Sequence, residues 1–431
     1  MSVELPKDWK SVKLGEVCNI QTGKYDANHA KPKGKYRFYT CAFEFMYCDT
    51  NRFKGESLIL PGNGANVGEV FYYNGEFDAY QRTYVLNEIK SFPKYLYYHL
   101  LGNWKRKNQD KQFGSATNYI RMGNFTDYEL PLPPKPTQLA IVCKIEELFS
   151  EIENGIQSLF TAKEQLKKYR QSVLKWAFEG KLTNGLNCEL YDLLDEDDLS
   201  IAAEPETEYR VERNCKNQKN RSSDKGELPE GWEMKTIGDI FEVFVGSTPK
   251  RNRPEYWGGN INWVSSGEIA FCNITKTKEK VTVEGLENTS CKLHPIGTVI
   301  IAMIGEGKTR GQAAILKIEA SHNQNTAAIR VDNKIYKSQL LYYYLVLKYE
   351  DNRRVGSGNN QKALNKERVK NISIPLPPIK EQQQIVQAIE SRLSVADKME
   401  ESITQSLQQA EALKQSILKK AFEGKLMINE I

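Results

Sequence analysis

The stretch PLPPKPTQLAIVCKIEELFSEI at residues 131–152 decides the fold, because it returns as PLPPIKEQQQIVQAIESRLSVA at residues 375–396. The two copies lie 244 positions apart and align without a gap. The same offset relates QSVLKWAFEGKL at residues 171–182 to QSILKKAFEGKL at residues 415–426. Two long copies of this kind indicate a duplicated domain and not a solenoid of short repeats.

A second motif opens each half of the chain. LPKDWKSVKLGEV at residues 5–17 recurs as LPEGWEMKTIGDI at residues 228–240, at an offset of 223. Each half therefore holds a globular region between two repeated motifs, and the second region is longer by 21 residues. The globular regions themselves share almost no sequence. We expect that the frame was duplicated while its contents diverged.

Apolar residues recur every seven positions after each PLPP motif, which is the spacing of a coiled-coil seam. The first copy has Ile145, Ile152, Leu159, Leu166 and Val173 at this spacing. The second copy has Ile389, Ala396, Ile403, Ala410 and Ile417, with Leu393, Met399, Leu407 and Leu413 beside them. About 40 residues at ~1.5 Å per residue make a helix of roughly 60 Å.

A helix of this length cannot bury its apolar stripe on itself. We therefore predict that the two copies pair in an intramolecular coiled coil that separates two globular domains. The spacing alone leaves parallel and antiparallel pairing open. Two ordinary amphipathic helices in separate domains are the alternative, against which the uninterrupted period and the gapless match argue.

The predicted organisation has five parts. They are a globular domain at residues 1–137, a helix at 138–182, a linker at 183–227, a second globular domain at 228–379 and a second helix at 380–431. The linker carries 12 acidic and 6 basic residues and is predicted to be solvated, with a short helix at residues 190–201. Both globular domains are predicted to be α/β and rich in strands.

Runs of β-branched and apolar residues between turn formers give the predicted strands. They lie at residues 56–60, 69–73, 82–86, 297–304, 313–318 and 327–331. One helix is predicted near the end of each globular domain, in FPKYLYYHLLGNW at residues 92–104 and KSQLLYYYLVLKY at residues 337–349.

Composition excludes several classes of protein. The 431 residues include 60 basic and 55 acidic ones, and no apolar run approaches the roughly 20 residues of a membrane-spanning helix. We expect a cytoplasmic protein without a membrane. Eight cysteines and four histidines show no ligand spacing, so we expect no metal site, no disulfides and mostly buried thiols.

The positive charge is concentrated in the globular domains. Residues 1–137 carry a net +5 and residues 228–379 a net +6, while the linker carries −6. Polar loops in these domains hold side chains suited to nucleic acid, since arginine pairs with guanine, asparagine or glutamine with adenine, and lysine with phosphate. The candidate DNA-binding residues are Asn63, Asn66, Gln81, Arg82, Lys308, Arg310, Asn323, Gln324 and Asn325. No catalytic constellation is found.

The doubled arrangement of motifs resembles the specificity subunit of type I restriction-modification enzymes. The residues that carry the resemblance are LPKDW at 5–9, LPLPP at 130–134 with Gln138, and AFEGKL at 177–182, each with its second copy at 228–232, 374–378 with Gln382, and 421–426. Pro136 departs from the second copy, which has Lys380 there, and is expected to shift the start of the first helix.

This resemblance implies a non-catalytic DNA-binding subunit. Each globular domain would be a target recognition domain for one half of a bipartite, asymmetric site in double-stranded DNA. The helices would pair antiparallel, set the gap between the half-sites and bind two modification subunits, so that the seam residues named above also serve in docking. No cofactor is expected in this chain. S-adenosylmethionine for adenine-N6 methylation, and ATP with Mg²⁺ for restriction subunits, would belong to the partners.

One alternative comes from a different class of protein. A structural or signalling coiled-coil scaffold could carry end domains that bind proteins, and it would show no salt-dependent affinity for DNA.

Overall fold

The computed structural model describes residues 6–109, 118–182, 228–305, 307–354 and 364–426. The chain forms two compact units. The first unit combines residues 1–162 with 402–431, and the second spans residues 163–401. The predicted linker and its short helix lie outside the described residues, as do Cys188 and Cys215.

Short strands dominate the first unit, as the sequence predicts. In chain order its elements are β1 (Lys10–Lys13), α1 (Leu14–Val17), β2 (Asn19–Thr22), β3 (Tyr36–Tyr39), β4 (Met46–Cys48), β5 (Phe53–Pro61), β6 (Phe71–Ala79), β7 (Thr83–Asn87), α2 (Pro93–Asn108), α3 (Met122–Thr126), β8 (Glu129–Leu132) and the beginning of α4 (Lys135–Phe178). The predicted strand at 56–60 lies in β5, and the one predicted at 82–86 corresponds to β7, which begins and ends one residue later. The strand predicted at 69–73 begins two residues later, as β6.

A six-stranded sheet in the order β2-β7-β5-β6-β3-β4 forms the body of the first unit. Its neighbours are antiparallel except β3 and β6, which run parallel. Leu58 and Leu60 of β5 lie in one buried cluster with Leu96 of α2, while Ile59 lies in another with Phe77. Both faces of β5 are therefore covered, which explains its continuous apolar run.

The second unit has a similar series of elements. They are β9 (Glu233–Thr236), α5 (Ile237–Ile240), β10 (Glu242–Val245), β11 (Trp257–Val264), β12 (Cys272–Ile274), β13 (Glu279–Val281), α6 (Val283–Glu287), β14 (Val299–Ala302), β15 (Ala313–Leu316), β16 (Ala320–His322), β17 (Thr326–Arg330), α7 (Ser338–Leu347), α8 (Tyr349–Arg354), α9 (Lys366–Lys370), β18 (Ser373–Leu376) and the beginning of α10 (Ile379–Phe422). The three predicted strands correspond to β14, β15 and β17, and the predicted helix to α7.

The two units share a sheet topology that their sequences do not reveal. The order β10-β17-β14-β15-β12 matches β2-β7-β5-β6-β3, and the last pair is parallel in both. The second unit adds a separate sheet in the order β13-β11-β16. The contents of the frame thus diverged in sequence while the sheet was retained, because a buried strand requires apolar side chains and not particular ones.

The repeated motifs at the two ends of each globular region meet in a short antiparallel ladder. In the first unit β1 pairs with β8, with Lys10 opposite Leu132. In the second unit β9 pairs with β18, with Glu233 opposite Leu376. Each domain therefore begins and ends at the same place, next to the start of a long helix.

The helices α4 and α10 have 44 residues each, or about 66 Å at ~1.5 Å per residue. They begin at Lys135 and Ile379, which are equivalent positions. The expectation that Pro136 shifts the first helix is wrong, since proline is tolerated in the first turn, where its missing N–H has no helical partner. Neither helix, nor any other in the described part of the chain, is long and apolar enough to cross a membrane.

In the first unit the beginning of α4 packs against the end of α10. Ile141 and Ile145 share a buried cluster with Phe422. Farther along α4, Glu153 accepts from Lys414, with 3.3 Å between Oε1 and Nζ. Residue numbers rise along one helix as they fall along the other, so the pairing is antiparallel.

In the second unit the end of α4 packs against the beginning of α10. Phe178 shares a buried cluster with Ile385. About two turns earlier in α4, the guanidinium of Arg170 lies 2.6 Å from Asp397 Oδ1 and 2.9 Å from Glu400 Oε2. The pairing is antiparallel here as well.

The ion pairs of the two units are equivalent under the repeat. Glu153 corresponds to Asp397 and Arg170 to Lys414, each at the offset of 244. The pair Glu153–Lys414 in the first unit is thus the counterpart of Asp397–Arg170 in the second. An antiparallel pairing of two copies produces this reciprocity, whereas a parallel pairing would place each residue opposite its own counterpart.

Most predicted seam positions are covered, with two exceptions. Ile145, Leu166, Val173, Ile389 and Ile417 are buried, and Ile152, Leu159 and Ile403 are half-buried. Leu413 is 50% exposed and Met399 41%, so placing them beside the seam is wrong. Leu413 directly precedes the seam position Lys414, and Met399 directly precedes the seam position Glu400. Adjacent side chains point about 100° apart around a helix, so both apolar side chains face away from the seam.

The glycine of each AFEGKL motif ends its helix and leaves room for the opening motif of the other copy. Gly180 has φ +70°, and a Cβ there would lie 2.4 Å from Pro229 Cγ. Gly424 has φ +71°, and its Cβ would lie 2.6 Å from Pro6 Cγ. Glycine is favoured at both positions by the left-handed backbone and by the close approach of proline.

Candidate nucleic-acid interface

Three turns meet at one end of the sheet in the first unit. The turn after β2 and the turn after β5 both donate backbone hydrogen bonds to residues at the start of β7: Gly23 N to Thr83 O at 3.2 Å, and Gly62 N to Arg82 O at 2.9 Å. The turns at residues 23–26, 62–66 and 80–83 are named the first loop platform.

The first loop platform brings together four residues that the sequence predicts to bind DNA. Asn63, Gln81 and Arg82 line one cavity of about 360 Å³, together with Gly62, Tyr84, Tyr119 and Ile120. Asn66 lies on the same turn as Asn63. The sequence separates these residues by up to 19 positions, and the antiparallel pairing of β5 with β7 closes that distance.

Hydrogen bonds within the platform divide these residues by role. Asn66 donates through Nδ2 to the carbonyl of Cys41 at 2.9 Å, and Gln81 donates through Nε2 to Asp26 Oδ1 at 2.7 Å. Both amides thus support neighbouring turns. The side chain of Arg82 is exposed, while its carbonyl anchors Gly62. Arg82 is therefore the residue of this platform best placed to contact a base.

The sequence reasoning missed Phe43, which is 70% exposed. It follows Cys41, whose carbonyl holds Asn66 and whose thiol lies 3.4 Å from the carbonyl of Arg82. An exposed aromatic ring beside a polar loop can contact a thymine methyl or wedge between base steps. The signal was present in the run AFEFMY at residues 42–47, which holds three aromatic residues in six positions.

The second unit has an equivalent arrangement. Gly246 N, after β10, donates to Thr326 O at 3.3 Å, and Met303 N, after β14, donates to Asn325 O at 2.8 Å. The turns at residues 246–253, 303–305 with 307–311, and 322–326 are named the second loop platform. It holds all five residues that the sequence predicts for this domain.

Helix α8 fixes the turn that carries Lys308 and Arg310. The hydroxyl of Tyr349 donates to the carbonyl of Lys308, and Arg353 donates to the carbonyl of Gly307 at 2.8 Å. Arg310 is half-buried and donates through Nη2 to the carbonyl of Arg353 at 2.9 Å. Lys308 is exposed and suited to a phosphate contact, whereas Arg310 serves to attach the turn.

The turn before β17 also separates structural residues from presented ones. Asn323 is 8% exposed, and its Oδ1 accepts from Asn325 N at 3.2 Å, so it shapes the turn. Gln324 is exposed and accepts through Oε1 from the hydroxyl of Thr248. Gln324 and the half-buried Asn325 are the residues that this turn presents.

A basic loop of the second platform was not among the predicted residues. The segment TPKRNRP at 248–254 places Lys250, Arg251 and Arg253 on the surface. Arg251 stacks over Trp257, 3.8 Å from its ring centre, and pairs with Glu279. Lys250 is suited to phosphate contact. Three basic residues in four positions were a signal for this loop.

Three of the four histidines are buried, and burial is the main cause of their lowered pKa values. The pKa of His99 falls to about 3, with Lys107 adding to the effect. The pKa of His294 falls to about 3, helped by His322 and Arg330, and that of His322 to about 4. All three imidazoles are neutral near pH 7.

We expect acid to destabilise the first unit through His99. Its folded pKa lies below the unfolded value near 6.5, so the unfolded chain binds the proton and stability falls as pH drops below about 6.5. Between pH 7.5 and 5.5 this histidine should account for a loss of about 1.4 kcal/mol. Thermal unfolding of wild type and His99→Gln at both pH values measures it. An equal pH-dependent change in the two proteins would contradict the prediction.

No metal centre is found among the described residues of either unit. In the part of the chain that the structure describes, no group of three or more histidine, cysteine, aspartate or glutamate side chains could hold a metal ion. The six cysteines of that part are free, and Cys18, Cys48 and Cys291 among them are buried.

The two units thus repeat one sheet topology, and each carries a loop platform at the equivalent end of its sheet. The sequence model of the type I restriction modification DNA specificity domain matches residues 6–160 and 229–409. The chain belongs to this family, and its two matched regions are DNA recognition domains of a type I restriction-modification specificity subunit. The scaffold alternative is not favoured.

Several relatives match over nearly the whole chain. The type I restriction enzyme EcoDI specificity subunit of Escherichia coli is 28% identical over 430 residues, which cover 98% of this chain and 90% of that protein. The MjaVIII specificity subunit of Methanocaldococcus jannaschii is 25% identical over 458 residues, covering 100% of this chain and 95% of that protein.

Two solved structures share the fold. One, from work on complex assembly and conformational transition of the type I restriction-modification system, has a TM-score of 0.72 at 16% identity and covers 98% of this chain and 100% of its own. The HsdS subunit from Thermoanaerobacter tengcongensis has a TM-score of 0.56 at 18% identity and covers 98% of both chains.

Proposed function

We propose that this chain is the non-catalytic specificity subunit of a complex that methylates adenine at N6 and restricts unmodified DNA. Each recognition domain reads one half of a bipartite target in double-stranded DNA. The partner subunits perform the chemistry. S-adenosylmethionine would bind the modification subunits, and ATP with Mg²⁺ the restriction subunits. Because the substrate is DNA of the host or of an invader, we also place the complex in the cytoplasm.

The equivalence of the two loop platforms carries this proposal. Both stand at the same end of the same sheet order, yet one presents Arg82 beside a cavity and the other presents Lys308, Gln324 and Asn325. Equivalent platforms with unlike side chains suit the reading of two unlike half-sites. An asymmetric target follows, since a palindrome would call for two identical platforms.

The long helices suit a second role, in which they set the distance between half-sites and bind two modification subunits. The two helices pair antiparallel within each unit. Several apolar side chains on these helices are exposed by 41–53%, namely Leu139, Phe160, Val395, Met399 and Leu413. A modification subunit that packs on these helices would remove this apolar surface from water.

Exchange of one recognition domain tests the proposal. Residues 18–129 run from the end of α1 to the start of β8, so their replacement by the matching region of another family member preserves the frame. We expect the hybrid, expressed with its modification subunits, to methylate a target altered in one half only. The matched control replaces residues 241–373 and should alter the other half only. Genome-wide methylation mapping gives the readout. A change in both halves of the target from either exchange would contradict the proposal that each domain reads one half-site.

A further inference from the structure

Two buried histidines meet at the second loop platform: His322 begins the turn at residues 322–326, and His294 contacts it. His294 and His322 are each 1% exposed, and their Nε2 atoms lie 3.2 Å apart. His294 bridges to β16 through two backbone hydrogen bonds with Ala320. No part of DNA recognition described so far uses this pair.

Arg330 determines which way the hydrogen bonds run. Its Nε lies 3.2 Å from His294 Nδ1 and, as a guanidinium N–H, can only donate. His294 must therefore accept at Nδ1 and carry its proton on Nε2. That proton is donated to His322 Nε2, which leaves the proton of His322 on Nδ1.

The chain continues into the turn. His322 Nδ1 lies 2.7 Å from Thr326 Oγ1, and the threonine hydroxyl lies 2.9 Å from the carbonyl of Asn323. With His322 donating, the hydroxyl is free to donate in turn to Asn323. Four hydrogen bonds thus run in one direction from Arg330 to the backbone of the turn, and each depends on the one before it.

The turn has other backbone attachments around this chain. Ser247 N donates to the carbonyl of His322 at 2.9 Å, and Asn323 N donates to Val264 O at 3.0 Å. Gly246 has no room for a side chain, since a Cβ would lie 2.1 Å from the carbonyl of His322. The turn is thus attached to Ser247 and Val264 as well as to the histidine chain, and its tip presents Gln324 and Asn325.

We propose that Arg330, His294, His322 and Thr326 are positioning residues for the second half-site. Their one-directional chain presets the turn, so that the turn does not have to be ordered when DNA binds. Preordering increases the difference in affinity between the correct and an incorrect base, because a loose turn can adapt to both. This inference rests on the proposed reading of one half-site by each domain.

The first unit offers a comparison at the same sheet position. Thr83 begins β7 as Thr326 begins β17, and it is equally buried. Its hydroxyl lies 3.7 Å from Cys41 Sγ. A Thr83→Val variant therefore changes the same kind of residue at the equivalent strand position, outside the histidine chain.

Nitrogen-15 NMR of the imidazoles in the full-length protein tests the chain without DNA. The protein has four histidines, and single His→Gln variants assign them. At pH 7 we expect His294 as the Nε2–H tautomer and His322 as the Nδ1–H tautomer. The same tautomer on both residues, or an imidazolium on either, would overturn the proposal.

Methylation of a plasmid library by the complex with its modification subunits tests the consequence. Thr326→Val, which removes the hydroxyl, should lower discrimination at the second half-site about tenfold and leave the first unchanged. Thr326→Ser, which keeps it, should remain within about twofold of wild type, and Thr83→Val should not affect the second half-site. Wild-type discrimination by a folded Thr326→Val would refute the role. If wild type itself shows no sequence preference, the proposed function fails, while the tautomer result stands on its own.

Discussion

Replacing Gln382 by leucine should lower the free energy of unfolding by about 3–5 kcal/mol. This glutamine lies four residues after the PLPP run at 375–378 and is fully buried. Its Oε1 accepts from Lys337 N at 2.9 Å, and its Nε2 donates to Pro377 O at 2.8 Å and to Ile335 O at 3.0 Å. Leucine would fill the space but leave three backbone groups without partners, and each costs about 1–3 kcal/mol.

Two of these three contacts recur in the first unit, which indicates why the motif is repeated. Gln138 Oε1 accepts from Phe92 N at 2.8 Å, and its Nε2 donates to Pro133 O at 2.8 Å. In both units one side chain ties the start of a long helix to the segment before α2 or α7.

Gln383 provides the matched control, since it is the next residue of α10 and is exposed. Gln383→Leu should change stability by less than about 0.5 kcal/mol. Urea unfolding followed by circular dichroism compares the two variants with wild type. Similar losses of unfolding free energy for both variants would show that the buried hydrogen bonds of Gln382 do not determine its contribution to stability.

Replacing Arg82 by alanine should weaken binding to the cognate target 10-fold to 100-fold, as expected for loss of a bidentate base contact worth about 1–3 kcal/mol. The prediction rests on its exposed guanidinium at the cavity shared with Asn63 and Gln81. Its effect should be confined to the first half-site.

Arg82→Lys separates base reading from charge. Lysine keeps the positive charge but lacks the planar fork of arginine. We expect it to retain affinity for non-cognate DNA and to lose preference at one base pair of the first half-site. Fluorescence anisotropy with the modification complex, at several salt concentrations, measures both quantities. If Arg82→Ala weakens cognate and non-cognate DNA equally, Arg82 contacts phosphate and not a base.

The sequence predicted the frame well because the frame is encoded locally. Heptad spacing identified α4 and α10, and strand-like runs identified β5, β7, β14 and β17. It placed Leu413 incorrectly, because the spacing of apolar residues does not show that the polar Lys414 occupies the seam position beside it.

The sequence predicted which loops form the candidate site. It did not predict which of their side chains are presented and which hold the loops in place. Asn66, Arg310 and Asn323 have the same side-chain chemistry as the presented residues, yet each is engaged with backbone of its own unit. Residue type does not reveal such engagement, since the partners lie up to 43 positions away along the chain.

The sequence by itself determined the duplication, the long helices and the membership of the specificity-subunit family, since all three depend on repeated motifs and short-range periodicity. The tertiary structure decided the antiparallel pairing, the common sheet of two dissimilar domains and the direction of the hydrogen-bond chain behind Asn323. These depend on contacts between residues far apart in the chain, whose geometry no local pattern specifies.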